Sequence, residues 1–332
     1  MLSPFPGFIP TGRGPHSGAG TASLARRIRD DAGRYQPGPI LERAVSLGHL
    51  EATAGPTLFR YEIHRPGHEA VLGLVGVARA ADLIPHEGTV FGIIDHPALP
   101  VEIRPILALV DEPIPAAQTV GRTVEVVEAT GTRHTLVAVV HQGWKLNRPV
   151  VADGHHRQRA AMLTRGGDAT VLTLVVGSGG AGLEAGTFHR AFAEAGELPM
   201  AAGDRFEIEP VATPSVVDGA LVWLDGDSGR AFSLRPRPEA LAAVPEPLRA
   251  SPAAVAEALL YPLLGVHEND AIHIAAWELA VEGVPRRGGA LLLPDVDVAA
   301  VIAAARAGVM LPPKASRFHP KPLRGLVLRV VD

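Results

Sequence analysis

The sequence predicts an α+β (mixed α/β) protein, and three observations carry that expectation. Short runs with period-two alternation recur and are spaced to pair as hairpins. A few alanine-rich segments with helical spacing stand alone rather than between every pair of strands. That mixture of hairpins and isolated helices disfavours a regular doubly wound sheet, and no repeat of fixed period is visible.

Residues 1–20, rich in Gly, Pro and Ser, predict an irregular wrapping segment, and "TASLARRIRDDAGRY" (21–35) predicts a helix stopped by Gly33. Together these make an N-terminal segment, 1–56. "TLFRYEIHR" (57–65) alternates as a strand, and "AVLGLVGVARAADL" (70–83) begins as a second, paired through "PGHE". "IRPILALVDEP" (103–113), "TLVAVVHQ" (135–142) and "RPVVADG" (148–154) are further strands. "HHRQRAAMLTRG" (155–166) has helical spacing, and "ATVLTLVVG" (169–177) predicts a strand buried on both faces. These elements define a domain over 57–180.

The stretch "SGGAGLEAG" (178–186) marks a boundary, after which 181–332 is a second α+β portion. "GTFHRAFAEAG" (186–196) is expected as a strand end leading into a helix. "DRFEIEPV" and "RAFSLRPR" alternate as strands, and "SPAAVAEALLYPLLG" (251–265) is a Ser-capped helix. "DAIHIAAW" and "GALLLP" are short strands. "DVDVAAVIAAARAG" (295–308) is a helix with an acidic start and a glycine stop, and the terminal segment is expected to fold back on the first domain.

Composition narrows the function classes. With 332 residues and 47% hydrophobic and 20% charged residues, the chain can bury a large core. A net charge of −4 supplies no basic field for nucleic acid. The chain has no cysteine, which removes disulfides, thiolate metal sites and cysteine nucleophiles. It has only three lysines (Lys145, Lys314, Lys321). No signal-peptide pattern and no membrane-length apolar run is present, so a soluble, cytoplasmic protein is expected.

Three clusters could carry chemistry. In "VVADGHHRQRAAM" (150–162) a strand turns into a helix at Asp153, Gly154, His155, His156 and Arg157. A helix N-terminus offers unpaired N–H groups and a partial positive charge to an anion. Gly154 permits close backbone approach, Arg157 can grip phosphate oxygens, and the histidines can donate or move protons. The plain alternative is that Asp153 caps the helix. A metal site is disfavoured, because adjacent histidines do not share a metal on one helix face and "HEGTV" and "HENDA" both fail H-E-x-x-H. The second cluster is Glu87 in "DLIPHEGTVFG" (82–92), where a carboxylate ends a strand. The third is "MLPPKASRFHPKPLRGLV" (310–327), with two of the three lysines within eight positions.

"ADGHHR", "PHEGT", "TFHRAF" and "GVMLPPKASRFHPK" together resemble the bacterial and archaeal family called domain of unknown function 1015, from about residue 57 to the end. The resemblance extends to free-serine kinases of the ParB/sulfiredoxin-like fold, and it implies such a core with an additional α+β C-terminal portion. It implies a phosphotransferase that moves phosphate from ATP or ADP to serine or a similar hydroxyl compound, with Mg2+ held through the nucleotide phosphates. Carried over, Glu87 would be the general base, Asp153 would assist it or orient metal and substrate, and His155, counted with these catalytic candidates, would help hold the phosphates. Gly154, His156 and Arg157 would hold phosphates, and His189, Arg190, Lys314, Ser316 and Lys321 could reach the same anion. Two features depart from the family: its Pro-Pro-Tyr-Asp-type segment has no match in "PTGRGPHSGAGTA", and the serine after the motif lysine is Ala315, with Ser316 next. Two other functions fit the same residues, a ParB-like module that binds or hydrolyses ATP or CTP, and an inactive paralogue acting as a binding protein. The expected partners are a nucleotide and a small hydroxyl substrate, with neither nucleic acid nor membrane; self-association stays open.

Overall fold

The structure, a computed structural model, describes residues 1–11, 37–88, 101–140, 143–179, 182–217 and 219–331. The helix expected over 21–35 lies outside them. The chain divides into two units, the first made of 1–84, 91–183 and 320–332, the second of 85–90 and 184–319. Each unit is therefore discontinuous: residues around Glu87 belong to the second unit, and the last thirteen residues to the first.

The first unit contains β1 (Phe8–Pro10), α1 (Pro37–Ser46), β2 (Leu50–Ala52), β3 (Leu58–His64), β4 (Val71–Arg79), β5 (Val101–Glu102), β6 (Ile106–Val110), β7 (Gln118–Val127), β8 (Arg133–Val140), β9 (Val150–Asp153), α2 (His155–Arg165) and β10 (Thr170–Gly177). Seven strands form one sheet in the order β7-β8-β3-β4-β10-β6-β9. β10 runs antiparallel to β4 and parallel to β6. Its β-branched and leucine side chains from Val171 to Val176 are all buried, as a central strand covered on both faces requires. Leu58, Leu74, Ala108, Val110, Val151, Ala161 and Val175 share the core beneath it.

The hairpin expected from "PGHE" is present, with β3 and β4 antiparallel. β7 is an addition to the expected elements. Its exposed, polar-rich sequence "QTVGRTVEVV" hides the strand, and the register shifts between Val120 and Thr123 as an edge bulge does.

β9 pairs antiparallel with β6 through an irregularity between Leu107 and Ala108, and it ends at Asp153 opposite Leu107. The chain then enters α2, whose amphipathic pattern is weak. Polar contacts hold that helix instead: buried Gln158 donates through Nε2 to the Ala80 and Leu83 carbonyls at 2.8 and 2.6 Å. At the C-terminus, Arg329–Val330 pairs with β5.

The second unit contains β11 (Glu184–Gly186), β12 (His189–Phe192), β13 (Phe206–Val211), β14 (Leu221–Asp225), β15 (Ala231–Pro236), β16 (Ala271–Ile274), β17 (Gly289–Leu292), α3 (Val298–Arg306) and β18 (Arg317–His319). Six of these strands form an antiparallel sheet, β13-β15-β14-β17-β12-β16, and β11 pairs with β18. Fully buried Trp223, Phe192 and Tyr261 stack at its centre, with the Phe192 and Tyr261 rings edge to face at 5.4 Å. The expected Ser cap is present, since Ser251 Oγ accepts from the Ala254 amide before a helical run over 252–264. Asp297 likewise caps α3 through the Ala299 amide.

The helix expected after "TFHR" does not form. His189–Phe192 is a strand between β16 and β17, followed by bends. Burying Ala191 and Phe192 between two strands outweighs the helical spacing of "AFAEAG", which Gly196 and Pro199 interrupt within two turns.

Candidate functional site

The first unit gathers charge at the β9–α2 turn. Gly154 is the N-cap of α2 with φ +108, in the left-handed region, and no side chain caps the helix. A Cβ at Gly154 would lie 2.8 Å from Arg157 Nη2 and 3.0 Å from Ile106 Cγ1, so the glycine makes room for the arginine to fold back over the turn. Arg157 donates from Nη2 to Asp153 Oδ2 at 2.8 Å and from Nη1 to the Arg104 carbonyl. Lys321 donates to the other oxygen, Asp153 Oδ1, at 2.7 Å. Asp153 is therefore an ion-pair centre rather than a helix cap.

Four cations, Arg157, Arg104, Lys321 and Arg324, bear on this turn, with Asp153 as the carboxylate at its centre. Burial alone would raise the Asp153 carboxyl, but Arg157, Arg104 and Lys321 outweigh it and hold the group well below the usual carboxylate range. Burial pushes the Arg157 guanidinium down to about 10, with Asp153 opposing the shift and Arg104 adding to it. Arg157 stays charged at neutral pH. Glu102 is a second carboxylate bearing on Arg157, and it is itself paired with Arg165 and Arg329, at 3.0 and 3.1 Å. His155, on the inner side of α2, is buried, and His156 is half-buried.

Lys321 arrives on a segment pinned along its length. Arg104 Nε donates to the Pro322 carbonyl at 3.1 Å, the Leu323 amide donates to the Tyr61 hydroxyl at 2.9 Å, and the Gly325 amide donates to the Ile103 carbonyl. The Glu128 carboxylate, 3.1 Å from His134 Nε2, accepts from the ring N–H there, so Nδ1 of the neutral ring accepts from the Tyr61 hydroxyl at 2.8 Å while that hydroxyl oxygen accepts from Leu323. Burial lowers His134, with the Glu128 hydrogen bond opposing, and this favours the neutral ring that the chain of bonds requires.

In the second unit Glu87 forms a parallel bridge with Leu311. The Leu311 amide donates to the His86 carbonyl at 2.8 Å, and the Gly88 amide to the Leu311 carbonyl at 3.1 Å. The "PHEG" and "LPPKAS" segments thus lie side by side. His86 Nε2 and Ser316 Oγ are 2.6 Å apart, both buried. Arg190 is fully buried and committed: it donates to Glu268 at 3.0 Å and to the Phe188, Pro313 and Lys314 carbonyls. Glu268 also accepts from His273 and Tyr261, at 2.7 and 2.8 Å. Burial opposes its ionisation, but the His273 bond and the Arg190 charge outweigh that and lower it.

Lys314 itself has φ +58, held by those carbonyl contacts, and its ammonium lies 5.5 Å from the Phe188 ring centre, with the Arg317 guanidinium at 6.0 Å. His189 Nδ1 accepts from the Leu293 amide at 3.1 Å. Burial first, then the charges of Arg317 and Arg190, push the ring down to about 4.

The structure brings Asp153, Gly154, His155, His156, Arg157 and Lys321 together in the first unit, and Glu87, His189, Arg190, Lys314 and Ser316 in the second. Sequence reasoning missed Arg104 and Arg324 at the turn, and Glu268 as the partner of Arg190. Arg324 sits in the basic "KPLRG" stretch, three residues after Lys321, and could have been found there. Among the described residues no cluster of three or more His, Asp or Glu is arranged to hold a metal. Both Asp153 oxygens already accept from cations, so the donor set at this turn does not fit a protein-held magnesium. No described helix is long and apolar enough to cross a membrane.

No protein-family model matches the chain, and no curated protein matches it. Several solved structures are similar. A conserved hypothetical protein from Pyrococcus furiosus shares 13% identity over 76% of this chain and 95% of its own, with a TM-score of 0.41. A free serine kinase in complex with AMP shares 13% identity over 76% of this chain and 91% of its own, with a TM-score of 0.41. SbnI with a C-terminal truncation, from Staphylococcus aureus, shares 12% identity over 75% of this chain and 85% of its own, with a TM-score of 0.44. At these identities the likeness assigns no activity to this chain.

Proposed function

We propose that the protein is a nucleotide-dependent phosphotransferase acting on a small hydroxyl compound, serine or a similar metabolite. The supporting observation is the cation-rich turn at Gly154, where Arg157, Lys321, Arg104 and Arg324 outnumber the carboxylates of Asp153 and Glu102 at the N-terminus of an eleven-residue helix. Such a turn suits the phosphates of ATP or ADP, because phosphoryl transfer depends mainly on positioning and charge stabilisation. The family resemblance of "ADGHHR", "PHEGT" and the "LPPKASRFHPK" segment supplies the acceptor class. Arg157 and Lys321 hold phosphate oxygens, and the helix N–H groups and Gly154 accept close approach of the anion.

By the resemblance of "PHEGT", Glu87 is the residue assigned to take the proton of the acceptor hydroxyl. The acceptor oxygen then bonds to the terminal phosphorus as the bond from that phosphorus to the bridging oxygen breaks, and the nucleotide leaves one phosphate shorter. Any magnesium comes with the nucleotide, and no step uses it as a protein-held group.

The test is a phosphate-transfer assay with ATP or ADP against a panel of hydroxyl compounds, serine included. Turnover that Glu87→Gln removes while nucleotide affinity persists is the expected result. Nucleotide hydrolysis indifferent to every acceptor would instead favour a ParB-like switch, and the absence of turnover with any donor would sink the reading.

A further inference from the structure

We propose that Ser316 is a positioning residue for Glu87 that acts through His86, not a ligand of phosphate; this rests on the role given to Glu87 above. His86 Nε2 lies 2.6 Å from Ser316 Oγ and 3.7 Å from Glu87 Oε2, so the serine is in hydrogen-bond contact with the imidazole and the carboxylate is just outside it. His86 is 0% exposed and Ser316 6% exposed. The Phe318 ring stands edge-on to the imidazole at 5.8 Å and 82°, and the Leu311 backbone brackets Glu87 from both sides. The serine therefore fixes the direction in which Nε2 points.

Two other roles for Ser316 fit less well. In a Ser–His–carboxylate relay the serine and the carboxylate use opposite ring nitrogens, whereas here both approach Nε2. A phosphate ligand needs a hydroxyl open to the anion, and this one is buried against a ring. What remains is steering. With the ring proton on Nε2 donated to Ser316 Oγ, loss of the hydroxyl makes Glu87 Oε2 the near alternative acceptor, and a ring shift of about 1 Å would convert the 3.7 Å approach into a hydrogen bond that draws the base out of place.

The experiment compares Ser316→Ala, Ser316→Thr and His86→Gln in the full chain, with thermal melting as the check on folding. Ser316→Ala should lower kcat for phosphate transfer roughly ten- to a hundredfold, since a displacement of about 1 Å costs that much, with the nucleotide KM unchanged. Ser316→Thr, which keeps the hydroxyl, should restore kcat. In parallel, carbon-13 NMR of glutamate-labelled protein follows the Glu87 side-chain carboxyl, assigned by its loss in Glu87→Gln. That signal should move in Ser316→Ala, return in Ser316→Thr, and fail to respond to Ser316→Ala once His86→Gln is present. A raised nucleotide KM with kcat intact would make Ser316 a phosphate ligand and overturn the inference. So would a Glu87 signal indifferent to Ser316→Ala. If the unmodified protein transfers no phosphate, the proposed activity falls, and the NMR comparison still decides whether Ser316 reaches Glu87 through His86.

Discussion

Replacing Asp153 with Asn should make the protein less stable and its grip on phosphate stronger. The carboxylate holds Arg157 at 2.8 Å and Lys321 at 2.7 Å while burial works against its ionisation. An asparagine keeps one acceptor and presents an amide N–H₂ to the other cation. Removing one partner of a fully buried pair costs about 3–5 kcal/mol, but the Arg157 side chain is 37% exposed and Lys321 32%, so solvent screens part of it. A loss of about 1–3 kcal/mol follows, or roughly 2–10 °C in the melting of a unit of this size.

The sign of the pH dependence is fixed. Asp153 is depressed in the folded protein, so its stabilisation is fully present above about pH 4 and disappears as pH falls through the folded-state value. The gap between the unmodified protein and Asp153→Asn should therefore close in acid. For binding, a phosphate engaging Arg157 sits within about 6 Å of Asp153, where like charges repel by up to about 3 kcal/mol at an effective dielectric of about 20. With salt screening, removal of that repulsion should tighten ATP or pyrophosphate binding by roughly five- to thirtyfold at low salt. Isothermal titration at two salt concentrations measures it. A folded Asp153→Asn variant that binds phosphate more weakly would refute the reasoning, because Asp153 would then hold the ligand itself.

Gly154→Ala should cost about 1–3 kcal/mol, from the left-handed φ and the clash with Arg157, and should weaken anion binding by displacing that guanidinium; calorimetric melting and titration check both. His189, depressed to about 4, stays neutral while the unfolded chain takes up a proton near pH 6.5, so stability should drop by up to about 1.4 kcal/mol for each pH unit of acidification between those values. Urea denaturation across that window should show the slope, and His189→Asn should flatten it. Tyr61→Phe keeps the ring but strands the Leu323 amide and His134 Nδ1, so the amide of Leu323 should exchange with solvent at least tenfold faster, a change hydrogen-exchange NMR resolves.

Local patterns were legible and long-range pairings were not. The buried central strand at 169–177, the hairpin through "PGHE" and the capped helices at 251 and 297 each carry their signal within a dozen residues, in β-branched runs or a capping side chain. β7 was hidden because an exposed edge strand shows little apolar alternation, although its pairing with β8 across the Glu128–Thr132 turn follows the hairpin rule. "AFAEAG" carried helical spacing, and tertiary burial of Phe192 overrode it.

At the site, the turn residues were visible from their spacing, but their partners were not. Lys321 reaches Asp153 across 168 residues, and Ser316 reaches His86 across 230, distances at which no local pattern operates. Arg190 read as an anion ligand because arginine commonly is one. Its burial against Glu268 depends on a strand pairing that the sequence did not announce.

The central claim is that nucleotide phosphates bind at the Gly154 turn. The most direct measurement is calorimetric titration of the full chain with ATP, ADP and CTP, each with magnesium, repeated on an Arg157→Ala/Lys321→Ala variant whose fold is confirmed by melting. Saturable binding of at least one of the three nucleotides to the unmodified protein, and its loss in the variant, is the expected result. Binding of equal strength in both would place the phosphates elsewhere, and no binding of any nucleotide to the unmodified protein would contradict the claim outright.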